Sequence, residues 1–598
     1  MSNPYDFYKS KIEENKEILD KLEKTLVIYS SLRLAIVVIC IGSLYFLYKS
    51  NNIIGMVGSF LVSLLVFLVI AFFHNNKLNE KKKLTILLEY NENGLKRING
   101  EWKSFEDLGE EYINKEHRFS KDLDVFGKNS LFQWINTTNT LFGRKALADK
   151  LNMNYSLNRL IIEKEQQAVQ ELSQKREFAT KLFVDSYELK KNKNSNIEEL
   201  LNWAKEEKAS RLTIKYIPYI FIASTTIFII LAITNKMPAT YLLLVFAINY
   251  LVVKLLTRNL SHVINMFIRN KSKVNQYSNL LSLIQDEQFK SYKLRELKRQ
   301  LQSNDLDCKK EMKKLKNMIS WMGDSVSNAY YLIINVLFLS DIFILNNLEE
   351  WKEKNGKQLE NWLNIMGEVE ALVSLSNLAF ENPEWTYPTI SAEKVIVAKS
   401  VGHPMLGKKA VVNNFSLNNE KRVALITGSN MSGKSTFLRT IGFNMVLSYL
   451  GLPTFSENFK CGIYNIYTCM RTEDNLEESI SSFYAEILRV KLLIDAGKRG
   501  EDVFFLLDEI FKGTNSSDRH DGAKILIDQL VKSGAVGLVS THDLELCELE
   551  DTRKWLINFN FQEYYEDNKI KFDYKLRNGI SKTHNAKHLM KLAGIEIS

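Results

Sequence analysis

Leu425-Ile-Thr-Gly-Ser-Asn-Met-Ser-Gly-Lys-Ser-Thr-Phe-Leu-Arg439 is the stretch on which the fold of this chain turns. It contains Gly428-x-x-x-x-Gly433-Lys434-Ser435, preceded by the strand-like Val423-Ala-Leu-Ile-Thr427 and followed by a helix-like run over 437–450. Glycines let a backbone curl tightly enough to aim its N–H groups at phosphate oxygens, and the helix that follows offers its positive end to the same anion. The loop residues Gly428, Ser429, Asn430, Met431, Ser432, Gly433, Lys434, Ser435 and Thr436 are therefore the candidate triphosphate cradle. Lys434 is expected to reach the β- and γ-phosphates of ATP and the Ser435 hydroxyl to ligate Mg²⁺. A chance glycine-rich turn between a strand and a helix is the competing reading, and a second motif weighs against it.

Val503-Phe-Phe-Leu-Leu-Asp508-Glu509 is an apolar run that ends in two carboxylates, the pattern of a buried parallel strand with acids at its carboxyl end. Open α/β sheets bind ligands at that end. Asp508 suits a Mg²⁺ ligand and Glu509 suits a residue that positions or deprotonates the attacking water. Val536-Gly-Leu-Val-Ser-Thr-His542-Asp543 is a further short strand ending in polar groups, and His542 is a candidate sensor of the γ-phosphate, although a histidine at a strand end is commonly structural. Between loop and carboxylates, Ser481 and Ser482 stand at a helix start, a further anion site, which could act on the nucleotide of a partner subunit.

The order of these motifs resembles the ATPase domain of MutS-family DNA mismatch repair proteins. The resemblance is carried by 427–436 with its Asn430-Met431 pair, Ser481-Ser-Phe-x-x-Glu486, Asp508-Glu-Ile-x-x-Gly513-Thr514 and Ser540-Thr-His542. Val401-Gly-His403-Pro404, the closing Gly579-Ile-Ser-Lys-Thr-His-Asn585 and an upstream stretch from Asn129 to Val169 extend it. It implies an ABC-type α/β P-loop ATPase domain that hydrolyses ATP in a head-to-tail homodimer, with Ser481 touching the partner's ATP, and it implies DNA as a partner. One departure is clear: Ala410 stands where the family places an aromatic residue against adenine, so no base contact is assigned. The family's mismatch-recognition domain is expected to be missing, its place taken by an apolar hairpin.

The chain has 598 residues, enough for about four domains, and a net charge of +9. That charge permits an anionic partner without demanding one. The densest basic stretch, 290–316, interleaves lysines with acids and leucines and reads as a solvated helical face ahead of a phosphate-binding one. Five cysteines are scattered without metal spacing, which points to a reducing compartment and to no metal beyond Mg²⁺.

Residues 34–48 and 53–73 are almost uncharged and read as a transmembrane hairpin about the turn Lys49-Ser-Asn-Asn52. A secretory signal is the poorer alternative. A second pair, 216–234 and 240–253, reads as another hairpin, with a buried core pair as its alternative. Lysines and arginines flank both hairpins outside their turns, so both termini and the ATPase domain are expected on the cytoplasmic face of a membrane crossed by four helices. A fifth apolar run, 330–345, is interrupted by Asn335 and Asp341 and is expected as a core helix of the soluble helical region.

The expected layout is a cytosolic lead (1–25), hairpin one (26–75), a MutS-like all-α core (76–210), hairpin two (211–256), a long-helix lever region (257–380) and the ATPase domain (381–598). Its expected function is a membrane-anchored ATPase acting on DNA. The alternatives are an ATP-driven membrane machine without nucleic acid and a scaffold that binds ATP without turnover.

Overall fold

In the computed structural model of the chain, the described residues are all except 1–2, 115, 192–196, 207–215, 258–260, 303–305, 326–328, 472–481, 512–514, 567–568 and 581–598. Among the described residues, the regular elements as far as Glu381 are helices, and both sheets lie beyond it.

The first two helices, α1 (Pro4–Lys49) and α2 (Ile53–Asn99), have 46 and 47 residues. At 1.5 Å per residue each is about 70 Å long. Asn3 caps α1 by accepting the Tyr5 N–H, with Pro4 in the first turn; Asn52 caps α2 by accepting the Gly55 N–H, and Gly100, left-handed at φ 78°, closes it. The pairings Lys16 with Glu92, Glu23 with Lys81, and Ser43 with Ser59 show that the two run antiparallel. The lead, the first hairpin and the start of the core are thus continuous elements, and the expected borders at 25/26 and 75/76 fall inside helices. Composition changes along them while the helix does not. Their base buries Tyr8, Leu22, Leu88 and Tyr90, whereas the far half exposes Val38, Phe46, Ile54 and Leu65. Both helices are long and apolar enough to cross a membrane.

The helical core comprises α3 (Leu131–Ile135), α4 (Leu141–Leu151), α5 (Arg159–Gln174), α6 (Arg176–Lys191) and α7 (Ile197–Lys205). The apolar helices α8 (Ile217–Ile233) and α9 (Thr240–Thr257) pack as a second hairpin about Asn235, itself left-handed at φ 55°. They are shorter than the first pair. Next come α10 (Ser261–Asp286), α11 (Tyr292–Gln300), α12 (Cys308–Ser325), α13 (Ala329–Phe338) and α14 (Ser340–Glu381). The run 330–345 departs from expectation: Leu339, left-handed at φ 50°, splits it, and its first part, α13, packs chiefly on α8 and α9. The 42-residue α14 packs against α4, α5, α7 and α12 and lines the core with residues such as Trp362, Val369 and Leu375.

Beyond Glu381, β1 (Thr389–Ile390), β2 (Ile396–Val401), β3 (Asn413–Leu417) and β5 (Asn458–Cys461) form a small sheet in the order β1-β5-β2-β3. The larger sheet has the order β10-β9-β4-β8-β7-β6, from β4 (Val423–Thr427), β6 (Asn465–Cys469), β7 (Val503–Asp508), β8 (Val536–Ser540), β9 (Leu556–Glu566) and β10 (Lys569–Asn578). All its neighbours pair in parallel except β10, which closes the edge antiparallel to β9. Every residue of β4 and β8 is buried, which is why these strands read as unbroken apolar runs. Helices α15 (Lys434–Tyr449), α16 (Ser482–Lys498) and α17 (Ser516–Lys532) complete this α/β unit. One hydrophobic core runs from Trp102 and Trp134 through α14 to Phe437, Ile441 and Phe504, so the helical region and the sheet share an interior.

Candidate functional site

Strand order assembles the site. Because β8 lies between β4 and β7, the carboxyl ends of three parallel strands stand side by side, and the backbone stitches them: Thr541 N–H donates to Ile426 O (3.1 Å) and Glu509 N–H to Ser540 O (3.1 Å). The loop after β4, the carboxylates after β7 and His542 after β8 therefore converge.

The loop turns at Gly428 (φ 146°) and Gly433 (φ 106°), conformations that suit glycine. A Cβ on Gly428 would lie 2.7 Å from Ser432 Oγ and 2.9 Å from Phe561 O, so a side chain there would close the cradle. Lys434 opens α15 and folds back over the loop, donating to Gly428 O (3.0 Å) and Ser429 O (3.1 Å), with its side chain only 4% exposed. Its Nζ lies 3.6 Å from Glu509 Oε1 and 3.2 Å from His542 Nε2. His542 Nε2 is also 2.7 Å from Glu509 Oε1 and 2.8 Å from Asn430 Oδ1. Ser540 Oγ donates to Asp508 Oδ1. Met431 (φ 67°), Glu509 (φ 51°) and Phe511 (φ 63°) hold left-handed backbone at the site, as functional sites often do.

Lys434, Glu509, His542 and Asn430 are thus brought together. Ser435, Thr436, Met431 and Ser432 line the same cleft, of about 400 Å³, with Glu509 on its wall. Asp508 sits one residue behind Glu509, fixed by Ser540. This donor set, a lysine and turned backbone for phosphate oxygens with a hydroxyl and a carboxylate for a hard cation, fits a Mg²⁺-bound nucleoside triphosphate. Ser481 lies outside the described residues, as do Gly513 and Thr514. The helix that Ser481 was expected to open is α16, and its Glu486 is buried and accepts the Phe511 N–H (2.6 Å), tying that helix to the segment after Glu509.

Sequence reasoning missed an aromatic residue here. The ladder between β9 and β10 shifts register between Phe572 and Leu576, and Tyr574 (φ 54°) projects from that irregularity. Asn413 pins it, donating to Tyr574 O (3.0 Å) while accepting the Leu576 N–H (2.8 Å). A Cβ on Gly433 would lie 3.1 Å from Tyr574 Cδ1, which puts the ring against the loop and in the same cleft as Ala410, Val411 and His403. Burial, helped by the nearby Arg439 cation, pushes the His403 imidazole down to about 4, so it is neutral near pH 7.

The helical core reaches both sides of the site through one acid. Asp124 accepts from Arg439 of α15 (3.1 Å) and from Arg471 (2.6 Å and 3.1 Å), where the chain leaves β6. Asp122 accepts the N–H groups of Met470 and Arg471, both at 3.1 Å.

Residues 424–597 match the family MutS domain V. The chain is 31% identical over 236 residues to the DNA mismatch repair protein MutS of Persephonella marina, a match covering 39% of this chain and 27% of that protein. It is 32% identical over 266 residues to the MutS of Aquifex pyrophilus, covering 42% and 30%. Endonuclease MutS2 of Carboxydothermus hydrogenoformans is 27% identical over 256 residues, covering 42% and 32%. The matched part spans less than a third of each of these relatives, and the C-terminal α/β unit of this chain is the part that is similar to MutS-family proteins.

Proposed function

We propose that this chain is a membrane-anchored ATPase of the MutS type, which hydrolyses ATP between two copies and couples that cycle to DNA. The observation that carries the ATPase reading is the convergence of Lys434, Glu509, His542 and Asn430 within 2.7–3.6 Å at the mouth of the Gly428 loop. In this reading the loop N–H groups and Lys434 hold the β- and γ-phosphates, and Tyr574 stacks on the base, supplying the aromatic that Ala410 does not. Glu509 orients and deprotonates the attacking water, and His542, hydrogen-bonded to it, keeps its carboxylate facing the γ-phosphate. Ser435 and Asp508 would hold Mg²⁺, which supplies charge neutralisation at the phosphates. Ser481 of the partner copy closes the sandwich.

The membrane part rests on polarity. Across the far half of α1 and α2 the large apolar side chains point outward while Ser43 and Ser59 bond to each other (2.7 Å) between the helices and Arg33 meets His74 (3.2 Å) below them. Lysines at the base and in the flanks of α8 and α9 support the reading in which both termini and the ATPase domain lie in the cytoplasm.

Phosphate release by the full chain in detergent is the test: Glu509→Gln should bind ATP and lose turnover, and Lys434→Ala should weaken ATP binding. Wild-type turnover in Glu509→Gln would remove the base role. DNA enters from the names of the relatives, and a second reading, a membrane machine without nucleic acid, is favoured by one observation. In the basic stretch, Lys293, Lys309, Lys310 and Lys314 pair with Glu165 and Glu368, Asp286, Asp307 and Glu311, and Lys298 donates to Glu287 O. Binding to heteroduplex, branched and plain duplex DNA across a salt series separates the two, since phosphate contacts weaken steeply with salt. An active ATPase that binds none of these at low salt excludes the DNA reading.

A further inference from the structure

We infer that α13 is a fifth lipid-facing helix, packed beside α8 and α9 so that the second membrane unit is a three-helix body containing a half-depth helix. The inference rests on the membrane reading above.

Its support is an inverted distribution of polarity. Asn249 of α9 is fully buried, and its Nδ2 donates to Thr225 Oγ1 of α8 (2.9 Å) and to the Val336 carbonyl of α13 (2.7 Å). Thr225 is likewise buried. At the end of α13, Asn335 Nδ2 donates to Asp341 Oδ2 (2.8 Å) and Asn335 Oδ1 accepts the Asp341 N–H (3.2 Å). The outer surface is apolar: Ile227 and Ile230 on α8, Leu244 and Leu251 on α9, and Ile333 and Phe338 on α13 are each 50% exposed or more.

A helical cluster in water buries its apolar side chains and turns amides and hydroxyls outward. Here the arrangement is reversed, which is the stable one when the surroundings are hydrocarbon. Backbone satisfaction agrees. A helix of 10 residues spans about 15 Å, half of a bilayer core, so its end must find partners without water. The Val336 carbonyl takes the Asn249 amide, and the Leu339 N–H donates to Asn335 O (2.9 Å) before the left-handed turn starts α14. Val253, Leu339 and Ile342 close the inner seam with Phe221 and Leu256. The occupant of the outer face is lipid acyl chain, because that face continues the apolar belt of α8 and α9 and carries no polar side chain at Ile333 or Phe338.

The test uses the full chain in a Cys40→Ser background, the other four cysteines being buried. Single cysteines at Ile333 and Phe338, at Ile227 as the membrane reference and at the exposed Leu160 as the aqueous reference carry a nitroxide in phosphatidylcholine–phosphatidylglycerol vesicles. Relaxation by oxygen is compared with relaxation by a water-soluble nickel chelate. Labels at 333 and 338 should shift toward oxygen to the same ratio as the label at 227. Chelate-dominated relaxation at 333 and 338, with oxygen still dominant at 227, overturns the assignment of α13 and leaves the membrane reading standing. Chelate dominance at 227 as well removes the membrane reading of α8 and α9, on which the proposal rests. Labels at 333 and 338 shielded from both agents would mean a protein-covered face, a second copy for instance, and would also overturn the proposal.

Discussion

Glu381 ends α14 where the chain passes from helices to sheets, and replacing it by glutamine should loosen the base of the first hairpin specifically. Its carboxylate accepts from Arg97 Nε (2.8 Å and 3.0 Å) and from the Tyr8 hydroxyl (3.0 Å), and Arg97 Nη2 lies 2.7 Å away. Arg176 completes the cluster, donating to the Tyr8 and Tyr90 hydroxyls (3.2 Å and 2.7 Å) and to Asn377 Oδ1 (2.8 Å). Burial and the Glu381 charge hold the Tyr8 phenol well above its ordinary range, so it stays a neutral donor. The Arg97 and Glu381 side chains are 3% and 2% exposed, and Glu381→Gln leaves two buried guanidinium groups without their carboxylate. Breaking a buried pair costs about 3–5 kcal/mol, and at about 4 kcal/mol the local opening constant rises on the order of a thousandfold. Hydrogen exchange of the full chain in detergent should show this acceleration in the first turns of α1 and the last turns of α2, with β4, β7 and β8 unchanged. Adding Arg97→Met should return part of the loss, since it removes one of the stranded charges. Exchange accelerated less than about tenfold, about 1.4 kcal/mol, would refute the view that this cluster anchors the hairpin.

Three further outcomes are expected. Tyr574→Ala should weaken ATP binding by about tenfold, the value of one aromatic stack, and Tyr574→Phe should restore it; equal affinities by equilibrium titration would exclude base stacking. Ser540→Ala releases the Asp508 carboxylate and should raise the Mg²⁺ concentration for half-maximal turnover by about tenfold, as loss of a supporting hydrogen bond to a metal ligand does. Glu370, raised by burial to about 7 despite the N–H groups of Asn139 and Thr140 and the Thr140 hydroxyl, binds its proton more tightly folded than unfolded. Its protonated form therefore favours the fold fully below about pH 4.5, and that contribution is lost as pH rises toward 7, on the order of 3 kcal/mol in all. Glu370→Gln should flatten the denaturant midpoint across that window; an unchanged slope would show that another group sets it.

What the sequence discloses follows chain separation. The loop, Asp508-Glu509 and His542 are legible because each sits at the end of a short apolar run, and parallel strands announce themselves by such runs. Tyr574 is not legible: its ring reaches the loop only through an edge strand, a register shift and the pin at Asn413. The Glu381 cluster joins Tyr8 to a residue 373 positions away, and no periodic pattern encodes that. The unbroken α1 and α2 were hidden because the change from charged to apolar residues looks like a border, although lysine, glutamate and leucine all favour helix. The run 330–345 looked like one helix because a left-handed leucine leaves no mark in composition.

The 42 residues of α14 join the turn at Leu339 to the anchor at Glu381 without interruption. A rod of that length, about 63 Å, tilted by about 5° at the Glu381 end carries its other end through about 5 Å, nearly one helical turn. If two copies close on ATP as proposed, this helix would convert a small closure between them into a stroke large enough to shift α8, α9 and α13 against their surroundings, with the base of α1 and α2 as the fulcrum.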